Sequence, residues 1–243
     1  MAPTPRFLTA EWRNLAMLNY EVEPPLLEPY VPNGCELDAW NGRTFVSVVA
    51  FQFLSTRGVG MPIPLHRNFE EVNLRFYVRH RHEGTWRRGV VFIKELVPRR
   101  AIAWVARTLY GENYVAVPMR HSLTGPPSNP GTVAYQWRQT DAWEGVRVSV
   151  SGVPLLPDDA SEEAFITEHY WGYARQPRGG TVEYQVEHPR WRVWRASAAA
   201  LECDARSLYG ADFGHALSGQ PSTAFLAEGS AVTVRQGRQL RSP

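Results

Sequence analysis

Lys94 is the only lysine among 26 basic residues, and it lies in the apolar run Val90-Val91-Phe92-Ile93-Lys94-Glu95-Leu96-Val97. Desolvation penalises the charged amine, so a lysine forced into low dielectric loses its proton more readily, and the neutral amine attacks carbonyls. Lys94 is therefore a candidate imine-forming residue. The competing account is an ordinary lysine whose stem packs on the strand while its ammonium reaches water or pairs with Glu95. Three glutamates, Glu71, Glu95 and Glu112, are candidates for general-base work. A second set is read from spacing: Glu71, Asn73, Arg75 and Tyr77 fall two apart, so on a strand they share one face. If that face turns inward they line a binding site, with Arg75 and Arg13 as counter-charges for an anion; if outward, they are a solvated row.

The elements that must hold these residues are mostly strands. Residues 71–79 place Val72, Leu74, Phe76 and Val78 on one side and Glu71, Asn73, Arg75, Tyr77 and Arg79 on the other, which predicts one core face. The same period recurs at 146–150 and 182–187. Residues 45–51 and the Lys94 run are apolar on both parities, as expected of central strands covered on both sides. Strands are expected over 42–54, 71–80, 88–97, 132–139, 145–151 and 181–187, in one antiparallel assembly. In a regular strand Lys94 points with Val90, Phe92 and Leu96, and Glu95 with Val91, Ile93 and Val97, so the two charges leave by opposite faces. Pro98 and the spacing of Ile102, Val105, Ala106 and Leu109 predict a helix over about 98–110, ended by Gly111. Ser161 caps a second helix running to about His169. The Pro and Gly clusters read as loops, not as a linker, and a single domain over 1–243 is expected.

Composition narrows the function classes. The chain has 243 residues, 44% hydrophobic and 21% charged, with a net charge of +2, too small for a dedicated nucleic-acid binder. Two distant cysteines, Cys35 and Cys203, form neither a disulfide framework nor a zinc site. The opening residues lack an apolar core of signal-peptide length, and no stretch approaches the roughly 18 to 20 apolar residues that cross a bilayer, so a soluble, cytoplasmic protein without a membrane partner is expected. His80 and His82 share a parity but lack further ligands, and no metal is expected. His169 and His188 would form a site only if the fold brought them together. Gly58-Val59-Gly60 lacks the third glycine of a dinucleotide fingerprint, so no nucleotide cofactor is indicated. Oligomeric state is not fixed by the sequence, and a homo-oligomer is compatible with it.

Several segments carry a family resemblance. Phe7-Leu8-Thr9-Ala10-Glu11-Trp12-Arg13-Asn14-Leu15, the stretch 26–38, Lys94-Glu95-Leu96-Val97-Pro98 and Tyr110-Gly111-Glu112-Asn113-Tyr114 resemble the YqjF-like proteins, as do Glu168-His169-Tyr170-Trp171-Gly172-Tyr173, Glu187-His188-Pro189-Arg190-Trp191 and Phe225-Leu226-Ala227-Glu228-Gly229-Ser230. That uncharacterised family belongs to the acetoacetate-decarboxylase-like superfamily. The resemblance implies an α+β fold that is mainly antiparallel β, a β-barrel or cone with a few flanking helices and an internal pocket. It also implies that the parent Schiff-base lysine would fall in the segment after the helix, where Gly111-Glu112-Asn113-Tyr114 contains no lysine. Arg13 falls at about the position of a pocket arginine. The expected function is binding of a small anionic or carbonyl-bearing molecule in the barrel interior, without the parent decarboxylase chemistry. The alternative is a lyase-type enzyme acting on a small keto acid, with Lys94 as imine-forming residue or a glutamate as general base.

Overall fold

The computed structural model describes residues 4–58, 61–62, 67–98, 113–126, 129, 131–177 and 179–240. Its strands, in chain order, are β1 (Arg6–Val22), β2 (Glu36–Leu37), β3 (Thr44–Gly58), β4 (Met61–Pro62) and β5 (Phe69–His82). There follow β6 (Thr85–Val97), β7 (Tyr114–Ala116), β8 (Met119–Leu123), β9 (Thr132–Trp137) and β10 (Glu144–Val150). The last are β11 (Trp171–Arg175), β12 (Thr181–Glu187), β13 (Val193–Glu202), β14 (Thr223–Arg235) and β15 (Arg238–Gln239). Among the described residues four short α-helices accompany them: α1 (Pro24–Leu27), α2 (Glu162–Thr167), α3 (Ala205–Tyr209) and α4 (Ala211–Ala216). As expected, the Ser161 hydroxyl caps α2 by accepting from the Ala164 amide. The helix expected over 98–110 lies almost wholly outside the described residues.

The six strands expected from the sequence all form, and they pair mainly antiparallel. The order β12-β11-β6-β5-β3-β1-β14 returns to its start because β14 also pairs with β12, so seven strands close into a ring. The closing seams are short. β14 meets β12 through Val186↔Val234 and Glu187↔Thr233, and β11 meets β6, in parallel, through Trp171↔Gly89 and Gly172↔Val90. Arginine–glutamate pairs lie beside these seams. Arg235 grips Glu187 through two nitrogens at 2.9 and 3.1 Å, while Glu183 of β12 accepts from Arg87 of β6 at 3.0 Å and from Arg238 at 2.7 Å. Among the described residues no helix is long and apolar enough to cross a membrane.

Two apolar clusters lie on opposite sides of the ring strands. One takes Val46, Val48 and Ala50 of β3 with Val72, Leu74, Phe76 and Val78 of β5, and is covered by β9, β10, α3 and α4, which lie outside the ring. The other takes Phe45, Val49, Phe51 and Phe53 of β3 with Tyr77 of β5, Phe225 of β14 and Phe165 and Ile166 of α2, and faces the interior. The single core face predicted for 71–79 is thus corrected: β5 is covered on both sides, because closing the ring encloses the face that an open sheet would leave to water.

Irregular pairing sets which side chains enter. Across β5 and β6, Leu74 pairs with Lys94 but Arg75 pairs with Phe92, so Ile93 is an additional residue in β6, a β-bulge. The Asn113 side-chain amide donates to the Ile93 carbonyl at 3.1 Å, supplying the bulged residue with a partner. The bulge changes the predicted parity. Val90 and Phe92 face the interior with Glu95 and Val97, whereas Lys94 and Leu96 face outward with Val91 and Ile93. Lys94 and Glu95 do leave by opposite faces, but each with different companions from those a regular strand gives.

Gly229 of β14 lies opposite Arg13, with φ at +77°, and a Cβ placed on it would stand 2.0 Å from the Trp12 carbonyl oxygen. Both the left-handed backbone and the close approach of β1 require glycine here. Gly229→Ala is expected to destabilise the fold by about 2 kcal/mol or more, seen as a lowered urea midpoint, whereas the same change at the unobstructed Gly219 should cost under about 1 kcal/mol.

Candidate functional site

β5 carries Glu71, Asn73, Arg75 and Tyr77 on its interior face, opposite Phe51, Val49 and Ser47 of β3. The solvated reading of this face is therefore set aside: Glu71 and Asn73 are only 3% and 2% exposed and Tyr77 is fully buried. On the neighbouring strand Glu95 pairs in register with Asn73 and is also buried. β7 runs parallel beside β6 and sets Tyr114 next to Glu95. Tyr114 donates its hydroxyl towards Glu71 Oε2 at 3.3 Å and also meets Glu95, so one phenol spans two buried carboxyl groups. Asn73 Nδ2 donates to Glu71 Oε1 at 3.1 Å.

The electrostatics follow from this enclosure. Burial pushes the Glu71 carboxyl up to about 7, against the opposing hydrogen bonds of Asn73 and Tyr114 and the charge of Arg75. Burial also holds the Tyr114 phenol well above its ordinary range, helped by the two carboxylates, so it stays protonated and acts as a donor. Tyr77 has its hydroxyl committed elsewhere. Ser47 Oγ donates to Asn19 Oδ1 at 2.7 Å, so the 2.7 Å contact between Ser47 and Tyr77 has the phenol as donor. What Tyr77 offers the interior is its ring.

Arg75 lies over that ring, its Cζ 5.7 Å from the centroid, and donates to the Ile166 carbonyl of α2 at 3.4 Å. His169 and Phe165 also pack on Tyr77, with ring centroids 4.7 and 5.3 Å away, and Phe165 meets His169 edge-on. His169 Nε2 lies 3.2 Å from Asp38 Oδ2, an oxygen that also accepts from Arg88 Nε at 2.6 Å. Burial would raise the Asp38 carboxyl, but the hydrogen bonds from His169 and Arg88 outweigh it and leave it below its usual value. Burial lowers His169 to about 4, against the pull of Asp38 and with the help of Arg88 and Arg75. His188 stacks on Trp191 at 4.0 Å and is also lowered to about 4, by burial first and then by the Arg75 charge. The two histidines thus border the same arginine. Four buried polar atoms of this interior, Trp12 Nε1, Asn73 Oδ1, Arg75 Nε and His169 Nδ1, have no hydrogen-bond partner among the described residues.

Lys94 and Arg13 lie apart from this cluster. Lys94 leaves by the outer face and donates to the Leu208 carbonyl in the last turn of α3; partial burial lowers its pKa. Arg13 is 41% exposed and pairs with Glu11 at 2.8 Å, away from the interior. Glu112 is outside the described residues. His80 bonds the Gly34 carbonyl at 2.7 Å, and among the described residues no group of three His, Cys, Asp or Glu side chains could hold a metal ion. Sequence reasoning missed Tyr114 as a site residue and the Asp38–Arg88 support of His169. A strand position beside Glu95 was the one available signal for Tyr114, and nothing local pointed to Asp38.

A protonatable carboxyl bridged by a phenol can exchange a proton near neutral pH, and that can be read through stability. Because the folded pKa of Glu71 lies above the unfolded value of 4.5, its favourable contribution is full below about pH 4.5 and is lost as pH rises through about 7. Glu71→Gln, which cannot ionise, should therefore gain on the wild type by about 3 kcal/mol between pH 4.5 and pH 9. Urea unfolding at the two pH values measures it; an unchanged difference would refute the raised carboxyl.

Comparison with known proteins agrees with this architecture. The Legionella pneumophila acetoacetate decarboxylase superposes with a TM-score of 0.69 at 13% identity, covering 98% of this chain and 88% of its own. The enduracididine biosynthesis enzyme MppR, solved with pyruvate, gives 0.68 at 15% identity over 99% and 92%. An acetoacetate decarboxylase-like enzyme from Sphingomonas wittichii RW1 gives 0.67 at 14% identity over 97% and 94%. At these identities the likeness establishes the fold. In sequence, the uncharacterized protein YqjF of Bacillus subtilis is 24% identical over 188 residues, 77% of this chain and 75% of that protein. Residues 9–231 match the DUF2071 family of uncharacterized conserved proteins, and the chain belongs to that family.

Proposed function

We propose that the ring interior binds a small anionic or carbonyl-bearing molecule and does so without an imine at the lone lysine. The observation that carries this reading is Arg75. It brings a positive charge to the interior face of β5, and among the described residues its Nε has no hydrogen-bond partner and its guanidinium forms no ion pair with a carboxylate. An enclosed guanidinium of this kind is complementary to a carboxylate or a polarised carbonyl oxygen. Asn73 and Tyr114 stand on the same face to orient the remainder of the ligand. A protein of the same fold has been solved with pyruvate, which is in keeping with such a ligand. Lys94, turned outward to Leu208, is on the wrong side of the sheet to reach it.

One observation favours a second reading, a lyase-type proton transfer on a small keto acid. Glu71, near pH 7 half protonated, is matched to taking a proton from carbon beside a carbonyl group. The two readings separate in one measurement: in D₂O, wild-type protein used as a general base exchanges the methyl protons of pyruvate, seen by NMR, and Glu71→Gln does not. Binding without exchange leaves the first reading alone.

For binding itself, a thermal-shift screen of 2-oxo and 3-oxo acids should find ligands that raise the melting temperature, since a ligand at about 100 times its Kd adds about 2.7 kcal/mol. Arg75→Gln should abolish the shift and Lys94→Ala should keep it in full. A shift that survives Arg75→Gln, or a borohydride-trapped adduct on Lys94, would overturn the proposal.

A further inference from the structure

The tautomer of His169 is fixed by its surroundings. Asp38 is ionised and a carboxylate only accepts, so the 3.2 Å contact requires the proton on His169 Nε2. Arg88 supplies a second donor to the same carboxylate oxygen, which holds Asp38 in place. In a neutral imidazole Nδ1 is then a lone-pair acceptor. The His169 side chain is only 1% exposed, and Nδ1 has no donor among the described residues. Arg75 is the opposite case, with a buried Nε–H donor that has no acceptor among them. Both side chains rest on the Tyr77 ring, the Arg75 guanidinium reaches the carbonyl of Ile166 three residues before His169, and its charge acts on the imidazole.

An unsatisfied acceptor beside an unsatisfied cationic donor is a pattern with chemical content. Leaving either buried and unpaired costs free energy that a ligand with the reverse pattern recovers. A 2-oxo acid offers acceptors only: its carboxylate suits Arg75, but its carbonyl oxygen would set one lone pair against that of Nδ1. A hydroxyl on the carbon next to the carboxylate supplies the missing donor. We propose that Arg75 and His169 together select a 2-hydroxy acid, with the carboxylate on the guanidinium and the hydroxyl donating to His169 Nδ1. The inference rests on the reading that the interior binds a small acid, and it specifies which acids.

Matched pairs test it. Lactate and pyruvate, and mandelate and phenylglyoxylate, have the same skeleton and charge and differ in whether the C2 oxygen donates. In calorimetric titrations of the wild-type protein at pH 7.5 the hydroxy member of at least one pair should bind about tenfold or more tighter than its oxo partner. His169→Phe keeps a ring against Tyr77 and Phe165 and should bring that ratio to about 1, mainly by weakening the hydroxy acid. His169→Asn, which retains an acceptor oxygen on the same side chain, should keep part of the preference and serves if the phenylalanine variant does not fold. Equal affinity within both pairs, or a ratio that is unchanged in His169→Phe, overturns the selection and leaves acid binding standing. Binding of neither member of either pair overturns both.

Discussion

Closing a sheet into a ring and then packing further strands and helices on its outside leaves the shared strands with no wet face. Over residues 71–78 of β5 and 89–97 of β6 the side chains are therefore buried or half-buried on both faces, and a charge there must find its partner inside, while the far ends of the two strands, Arg81 and Trp86 among them, meet water. Most of what is distinctive about the interior follows from that constraint. Glu71 and Glu95 are held by a phenol and an amide, Asp38 by an arginine and a histidine, and Tyr77 by a serine that is in turn bonded to Asn19. Among the described residues Asn73 Oδ1, Arg75 Nε and His169 Nδ1 remain unsatisfied on the interior side, and the Tyr20 and Tyr209 hydroxyls in the outer cluster.

Within such strands the register decides chemistry. A one-residue bulge at Ile93 carries Glu95 into the interior next to Tyr114 and keeps Lys94 outside against α3. Had β6 run regularly through this point, the two charges would have kept different company, and the amine would have shared a face with Val90 and Phe92. The partial burial that lowers the Lys94 pKa is thus real but belongs to a contact between layers, where a carbonyl, and not a substrate, meets the ammonium.

β3, β5 and β6 were legible because their apolar pattern is strong, and the cap of α2 because Ser161 followed by acidic residues is a local signal. The family resemblance and the antiparallel β reading converged on the same architecture. Local pattern could not reveal the bulge, since Ile93 is apolar in an apolar run and the slip is defined only by what β5 pairs with. It also could not tell whether Glu71, Asn73 and Arg75 met water, because alternation of polar and apolar residues has the same appearance when the polar row lines an enclosed space. β1 and β14, two of the longest strands, alternate weakly and went unpredicted for a related reason: bulges and the left-handed Asn14 interrupt their period. Asp38 and His169 are 131 residues apart, and only the closed ring brings them to one another.

The seams that complete the ring bear on the chain's unusual basic composition. Two residue pairs join β12 to β14 and two join β11 to β6, so the β11–β12 pair is attached to its neighbours by few backbone bonds and is reinforced by the Arg235–Glu187, Arg87–Glu183 and Arg238–Glu183 contacts. A guanidinium can bond a carboxylate and lie over an aromatic ring at once, as Arg87 does, its Nη1 donating to Glu183 at 3.0 and 3.2 Å while its Cζ stands 4.2 Å from the Trp171 ring centre; an ammonium does this less well. The near-absence of lysine then has a mechanical meaning. The seams are fastened by directional ionic contacts, and rising ionic strength weakens the more exposed of them, such as Arg235–Glu187, before the buried Arg87–Glu183 pair.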